Sequence, residues 1–171
     1  MLFNHKDEIT RQLKNIATQD NGGVKIEDAD KFRGDVLDQL VQNAVLNPSA
    51  EIKGLSRFIL KSAALELGIV NSSIQGLYEA RGRGEVKGFT VPALNIRGMP
   101  YELCRAIFRT AIKTNAGAFI FELAKSEMSY TFQKPHELST VILAAAIKEG
   151  FTGRVFIQGD HFQVNAKSYA Q

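Results

Sequence analysis

The sequence predicts an α/β protein in which an all-helical N-terminal segment precedes a parallel β-sheet. From residue 6 to about residue 67, apolar residues recur at three- and four-residue steps, which is typical of amphipathic helices. After Gly84, short β-type runs alternate with longer helical runs, and this alternation indicates βαβ units with parallel strands. We therefore expect a helical N-terminal extension over residues 1–85 and a βαβαβ unit over residues 86–171.

Three strands and two helices make up the predicted βαβαβ unit. They are the strands Gly88–Ile96, Ala118–Leu123 and Arg154–Gln158 and the helices Pro100–Thr114 and Pro135–Glu149. Pro100 suits a first helical turn, where its missing N–H leaves no hydrogen bond unmade, and Gly150 favours a helix end. Three parallel strands with two crossover helices leave sheet edges and one sheet face uncovered. We expect the N-terminal helices, a second copy of the chain or further sequence to cover them.

The composition excludes several classes of protein. The chain has 171 residues, of which 44% are hydrophobic and 23% are charged, as in ordinary globular domains. Its formal net charge of +3 is small and both signs are interspersed, which favours plain solubility over binding of phosphorylated substrates as its explanation. The single cysteine, Cys104, permits no disulfide framework, and no apolar run approaches the roughly 18 residues that a membrane span needs. We expect a cytoplasmic protein that binds neither nucleic acid nor membrane.

Polar and ionisable residues gather where the predicted strands end. In parallel α/β folds, catalytic groups lie at the carboxyl ends of the strands. The residues there are Asn95 and Arg97 for the first strand, Glu122, Lys125, Ser126, Glu127, Ser129 and Tyr130 for the second, and Gln158, Asp160 and His161 for the third. Such a collection is what the rim of an active site requires.

The Asp160–His161 pair is the sharpest of these features. An imidazole can hold a divalent metal while the neighbouring carboxylate acts as acid or base on a substrate oxygen. Gly159, just before the pair, lets the backbone approach a ligand closely. The dipeptide alone is a weak signal, because a lone histidine is more often structural or exposed.

Three segments, in the order VPALNIRG, AGAFIFELAKSEMSYT and RVFIQGDHFQ, resemble strands one to three of class II (metal-dependent) fructose- or tagatose-bisphosphate aldolases. The resemblance covers roughly residues 86–165 and implies the first three strands of a (β/α)8 TIM barrel. It implies a lyase that uses Zn²⁺ or another divalent metal to cleave a ketose 1,6-bisphosphate reversibly into dihydroxyacetone phosphate and glyceraldehyde 3-phosphate. It further implies a phosphorylated sugar as the substrate and a homo-oligomer when the protein is complete.

The resemblance also implies a role for each of five residues. His161 becomes a metal ligand, and Asp160 becomes the acid or base on the oxygen at the cleaved C–C bond. Asn95 lines the site, and Ser126 and Glu127 lie beside the dihydroxyacetone-phosphate portion, although their loop departs from the family's Ser-Asn-Gly-rich pattern. The family's remaining histidine ligands, enediolate base and phosphate loops lie on later strands that have no counterpart here. We therefore expect the chain to be an incomplete fragment.

Other interpretations stay open. The chain could be a non-catalytic subunit that binds a sugar phosphate or another chain, or a truncated product without function. His136 could be a further ligand at the same end, although an exposed helix-start residue is favoured. We interpret Lys125 as a solvated surface cation rather than as the Schiff-base lysine of a class I aldolase. We interpret the Gly- and Arg-containing stretch at residues 80–88 as a hinge rather than a phosphate loop. Phosphate loops follow a strand and open a helix, whereas this stretch precedes a strand.

Overall fold

The computed structural model describes residues 1–20, 22–163 and 166–169. Its helices are α1 (Lys6–Leu13), α2 (Ala29–Lys31), α3 (Leu37–Leu46), α4 (Ala50–Glu66), α5 (Gln75–Gly82), α6 (Pro100–Thr114), α7 (Glu127–Thr131), α8 (Pro135–Lys148) and α9 (Ala166–Tyr169), and a π-helical segment spans Phe32–Val36. Its strands are β1 (Ala17–Asp20), β2 (Gly23–Ile26), β3 (Ile69–Ser72), β4 (Ala93–Asn95), β5 (Ile120–Ala124) and β6 (Gly153–Asp160). Residues 164, 165, 170 and 171 of the predicted βαβαβ region lie outside the described residues. Across the described ranges, no helix has both the length and the apolar character to cross a membrane.

Four parallel strands form the central sheet in the order β3-β6-β5-β4. The consecutive strands β4, β5 and β6 lie side by side, as the predicted βαβαβ unit requires, and β3 pairs with the other edge of β6. β4 is shorter than the predicted strand Gly88–Ile96, because Pro92 has no N–H to donate to a ladder. The α/β class with a parallel sheet is confirmed, whereas the partial barrel stays a prediction.

The two predicted crossover helices form as the sequence indicates. α6 has the predicted bounds and ends at Asn115, whose left-handed φ of 49° closes the helix. α8 begins at Pro135, as predicted, and ends one residue before the predicted Glu149. Residues 141–147 of α8 are all buried, because the helix packs against α6 as well as against α3 and α4.

The N-terminal segment is helical only in part. It contains the antiparallel hairpin β1–β2 and the strand β3, so the prediction of an all-helical segment is wrong for residues 17–20, 23–26 and 69–72. β3 begins after Gly68, whose φ is 75°, and the Gly68 carbonyl accepts a hydrogen bond from the Gly153 N–H at 2.9 Å. This contact joins residues 85 positions apart (153 − 68), so no local pattern in the N-terminal segment could indicate it.

One hydrophobic cluster contains residues from both predicted parts of the chain. Its fully buried members include Leu37, Leu40, Ile59 and Leu60 from the first part and Phe108, Phe121, Leu138 and Ile142 from the second. Polar contacts also join the parts, since Arg57 Nη2 lies 2.8 Å from Glu137 Oε2 and Lys148 Nζ lies 2.7 Å from Asp38 Oδ2. The N-terminal helices therefore cover α8, and a domain boundary at residue 85 stays a prediction.

Phe108→Ala should lower the free energy of unfolding by about 3–5 kcal/mol, measured by urea unfolding, because it leaves a cavity in a packed core. The Phe108 ring is fully buried, and its centroid lies 5.7, 5.3 and 4.9 Å from those of Phe119, Phe121 and Phe151. The matched control is Phe132→Ala, which truncates a ring that is 84% exposed and should change stability by less than about 0.5 kcal/mol. Equal losses in the two variants would contradict this account of the core.

Candidate functional site

A row of polar side chains crosses one face of the sheet near its carboxyl edge. The register pairs Asn95 with Glu122 and Glu122 with Gln158, and the Gln158 amide donates a hydrogen bond to Glu122 Oε1. Phe121 points to α6, where it packs against the Phe108 ring, so the alternation of side chains places Glu122 on the opposite face. The polar row therefore lies on the sheet face turned away from α6 and α8.

Glu127, at the start of α7, connects the loop after β5 to the end of β4. Its side chain is only 3% exposed and accepts hydrogen bonds from Arg97 Nε, from Asn95 Nδ2 at 3.3 Å and from the Ala124 N–H at 2.9 Å. Burial alone would raise the pKa of Glu127, but these three donors outweigh it and hold the pKa below its ordinary value of 4.5. Glu127 is therefore an ionised carboxylate whose oxygens are already engaged by protein donors.

Asp160 and His161 lie at the carboxyl end of β6, as predicted. Asp160 Oδ1 is 3.5 Å from His161 Nε2, and the His161 side chain is 78% exposed. The Asp160 carbonyl accepts a hydrogen bond from the Lys125 N–H at 3.3 Å, which joins the end of β6 to the loop after β5. At Gly159, an added Cβ would meet the Phe162 ring at 2.6 Å. Gly159 thus makes room for Phe162 to fold back over the strand.

The other two predicted residues lie apart from this arrangement. Ser126 is exposed just before α7, and its carbonyl accepts a hydrogen bond from Ser129 Oγ at 2.6 Å. His136 lies at the start of α8 and, together with Asn71 and Phe162, lines a cleft of about 540 Å³. Leu123 and Ile157, which share the sheet face of Phe121, line the same cleft. His136 is therefore on the helix side of the sheet, in a cleft that includes Gln158 of the polar row and Gly159 at the carboxyl end of β6.

A second cleft of about 540 Å³ lies on the same sheet face as the polar row and reaches that row at Gln158. Its floor includes Ile120, Phe156 and Gln158 from the sheet, and α5 contributes Gln75 and Tyr78 to its wall. None of the residues in α5 is buried, so this wall is held by few contacts. The cleft gives a small polar molecule access to Gln158 of the polar row.

A catalytic zinc ion takes about three protein ligands, usually nitrogen or carboxylate oxygen when thiolates are lacking. The only cysteine, Cys104, is fully buried in the hydrophobic cluster, and burial raises the pKa of its thiol to about 12. Among the described residues, no group of three or more His, Cys, Asp and Glu side chains could hold a metal ion. His161 is exposed and could supply one ligand, but the described residues do not by themselves fit a complete zinc site.

The ion pair between Arg97 and Glu127 was not predicted from the sequence. Both residues stand at strand ends, but 30 positions separate them, and a carboxylate in a polar loop is ordinarily exposed. The spacing of Asn95 and Arg97, two residues apart at the end of one strand, is the only local signal that both face the same side.

Comparison of the chain with known protein families, with curated proteins and with solved structures finds no match.

Glu127→Gln should lower the free energy of unfolding at pH 7 by about 1–3 kcal/mol, because it weakens a buried carboxylate's hydrogen bonds to charged and backbone donors. The pKa of Glu127 is depressed in the folded protein, so its stabilisation is complete above the ordinary value of 4.5 and is lost as the pH falls through the folded-state pKa. Urea unfolding of both proteins from about pH 3 to about pH 7 should show their stabilities converge at low pH.

The matched control for this variant is Glu85→Gln. Glu85 also accepts hydrogen bonds from an arginine, Arg83, but both side chains are more than half exposed. Solvent screening makes such surface pairs weak, so this loss should be much smaller. A difference between wild type and Glu127→Gln that persists unchanged at the lowest pH would contradict the role given to the Glu127 charge.

Proposed function

We propose that the strand-end face is part of the active site of a metal-dependent ketose-bisphosphate aldolase, a lyase acting on fructose or tagatose 1,6-bisphosphate. The observation that carries the proposal is that Asp160 and His161 follow the central strand β6, beside the polar row of Asn95, Glu122 and Gln158. The carboxyl ends of parallel strands are where α/β enzymes place their catalytic groups. A partial (β/α)8 barrel is the corresponding proposal for the fold.

Asp160 is the proposed acid/base of this reaction. Its side chain is 30% exposed, and its nearest ionisable neighbour is the exposed imidazole of His161, so a substrate hydroxyl can reach the carboxylate. In the cleavage direction, Asp160 takes the proton of the hydroxyl next to the breaking C–C bond, and that oxygen becomes the aldehyde oxygen. The electron pair of the broken bond stays on the dihydroxyacetone-phosphate portion. In the condensation direction, Asp160 returns the proton.

His161 is the residue proposed to hold a divalent metal, which would polarise the ketose carbonyl. Its exposed imidazole is consistent with that role. Asn95 lies in the site as proposed from the resemblance, but its amide nitrogen is engaged by Glu127. Glu127 therefore supports the site through Asn95 and Arg97, and its own oxygens are not free for a substrate. Ser126, exposed at the loop, stays a proposed substrate contact.

Asp160→Asn should lower the rate of ketose-bisphosphate cleavage at least about 100-fold, because general acid–base catalysis typically contributes that much or more. Bound zinc, measured by metal analysis, should be retained in this variant, whereas His161→Ala should lose it. The matched control Asp30→Asn changes a side chain that is 98% exposed in the N-terminal segment and should leave the rate unchanged.

The outcomes of this test separate the proposed functions. Normal cleavage by both Asp160→Asn and His161→Ala would overturn the assignment of the site. A folded wild-type protein that binds sugar phosphate without cleaving it would favour a non-catalytic subunit that uses the same sheet face.

A further inference from the structure

Arg97 extends from the end of β4 over the strand-end edge of the sheet. Its Nε donates to the buried Glu127 carboxylate, yet the Arg97 side chain as a whole is 63% exposed. Within the described parts of the chain, its two terminal nitrogens have no hydrogen-bond acceptor. The guanidinium is thus anchored on one edge, and the donors on its other edge remain available to a ligand.

The charge of Arg97 is secure and lies close to the proposed catalytic carboxylate. The hydrogen bond and charge of Glu127 raise the pKa of Arg97, and Tyr130 and Asp160 are near enough to raise it further. Exposed Lys125 adds a second cation in the loop between β5 and α7. Any group held by Arg97 is therefore within electrostatic reach of Asp160.

The neighbouring buried carboxylates do not occupy the terminal donors of Arg97. Glu127 is buried and accepts from three protein donors, and Arg97 is one of them. Glu122 is buried on the sheet and accepts from the Gln158 amide. Both carboxylates are thus turned to protein donors, whereas the free edge of the Arg97 guanidinium is turned to solvent. A planar guanidinium fixed at one edge offers two parallel donors, which is the geometry that phosphate oxygens prefer.

We propose that Arg97 binds a phosphoryl group of the substrate and that Glu127 is the positioning residue that holds its guanidinium in place. This inference rests on the proposed function, because it takes the substrate to be a sugar phosphate. It also orients that substrate, with a phosphoryl group at the β4–β5 side of the edge and the reacting carbon at Asp160 on β6. Glu127, expected from the sequence to contact the substrate, then acts on it through Arg97.

The experiment is a titration of the full chain with inorganic phosphate, followed by ¹H–¹⁵N NMR. The Nε–H signal of Arg97 in the wild-type protein should shift in a saturable manner, which requires no variant to fold. Arg97→Gln should raise the Kd for phosphate at least about tenfold, as expected for the loss of charge-assisted hydrogen bonds. Arg97→Lys, which keeps the charge but not the fork, should lose less. The matched control Arg83→Gln removes an exposed arginine that also bonds a glutamate through Nε, and it should leave the Kd within about twofold.

Glu127→Gln tests the positioning role separately. It should raise the Kd for phosphate while Arg97→Gln in the same background adds little further, because both changes act on one contact. Additive effects, or no effect of Glu127→Gln on a folded protein, would overturn the positioning role.

Failure of this inference and failure of the proposed function give different results. Phosphate binding that does not saturate, or that Arg97→Gln leaves unchanged, would overturn the inference even if Asp160-dependent cleavage is observed. In an active protein, Arg97→Gln should raise KM for the bisphosphate more than it lowers kcat, and an unchanged KM would likewise overturn it. Arg97-dependent phosphate binding without any aldol cleavage would leave the anion site standing and overturn the aldolase function.

Discussion

The parallel pairing of β5 with β6 is the constraint on which the rest of the structure depends. All five residues of β5 are buried, and the strand is sandwiched between neighbours on both edges. Its register with β6 sets Glu122 beside Gln158 and Ala124 beside Asp160. A slip by one residue would turn these polar groups toward the helices and bring Phe121 out of the aromatic cluster. The same pairing therefore fixes both the core and the composition of the strand-end face.

A buried charge dominates the strand-end edge. Burying the Glu127 carboxylate without partners would be costly, so its position depends on donors from Arg97, Asn95 and the Ala124 backbone. These donors come from two neighbouring strand ends, and the carboxylate thereby fastens the loop after β5 to β4. Such a network would keep the proposed catalytic groups at fixed separations, which is a general requirement of preorganised sites. Because the oxygens of Glu127 accept these hydrogen bonds, Glu127 itself is not a free ligand for a substrate.

The N-terminal segment adds a strand to the sheet and covers α8. β3 gives β6 a second neighbour, so the strand that ends in Asp160 is central in the sheet, and α3 and α4 cover α8. α5, which follows β3, contributes Gln75 and Tyr78 to the cleft that reaches Gln158, but it buries none of its residues. Elements with few buried contacts open at low free-energy cost. A helix without buried residues thus borders the sheet face that carries the polar row.

The sequence by itself determined the α/β class, the crossover helices and the strand ends. These depend on local signals: apolar periodicity, Pro100 and Pro135 at first helical turns, and Gly150 after the second helix. For the site, the same local signals placed Asp160, His161 and Asn95 at the carboxyl ends of their strands, where the structure has them. They did not reveal that Glu127 is buried or that His136 faces the other side of the sheet.

Only the tertiary structure decided those points, together with the pairing of β3 with β6. Each depends on contacts between residues far apart in the chain, such as Arg97 with Glu127 and Gly68 with Gly153. A carboxylate is buried when donors from other elements converge on it, and a short strand pairs wherever an edge of matching direction is free. Neither condition is written in the neighbouring sequence, because both arise from the packing of the whole chain.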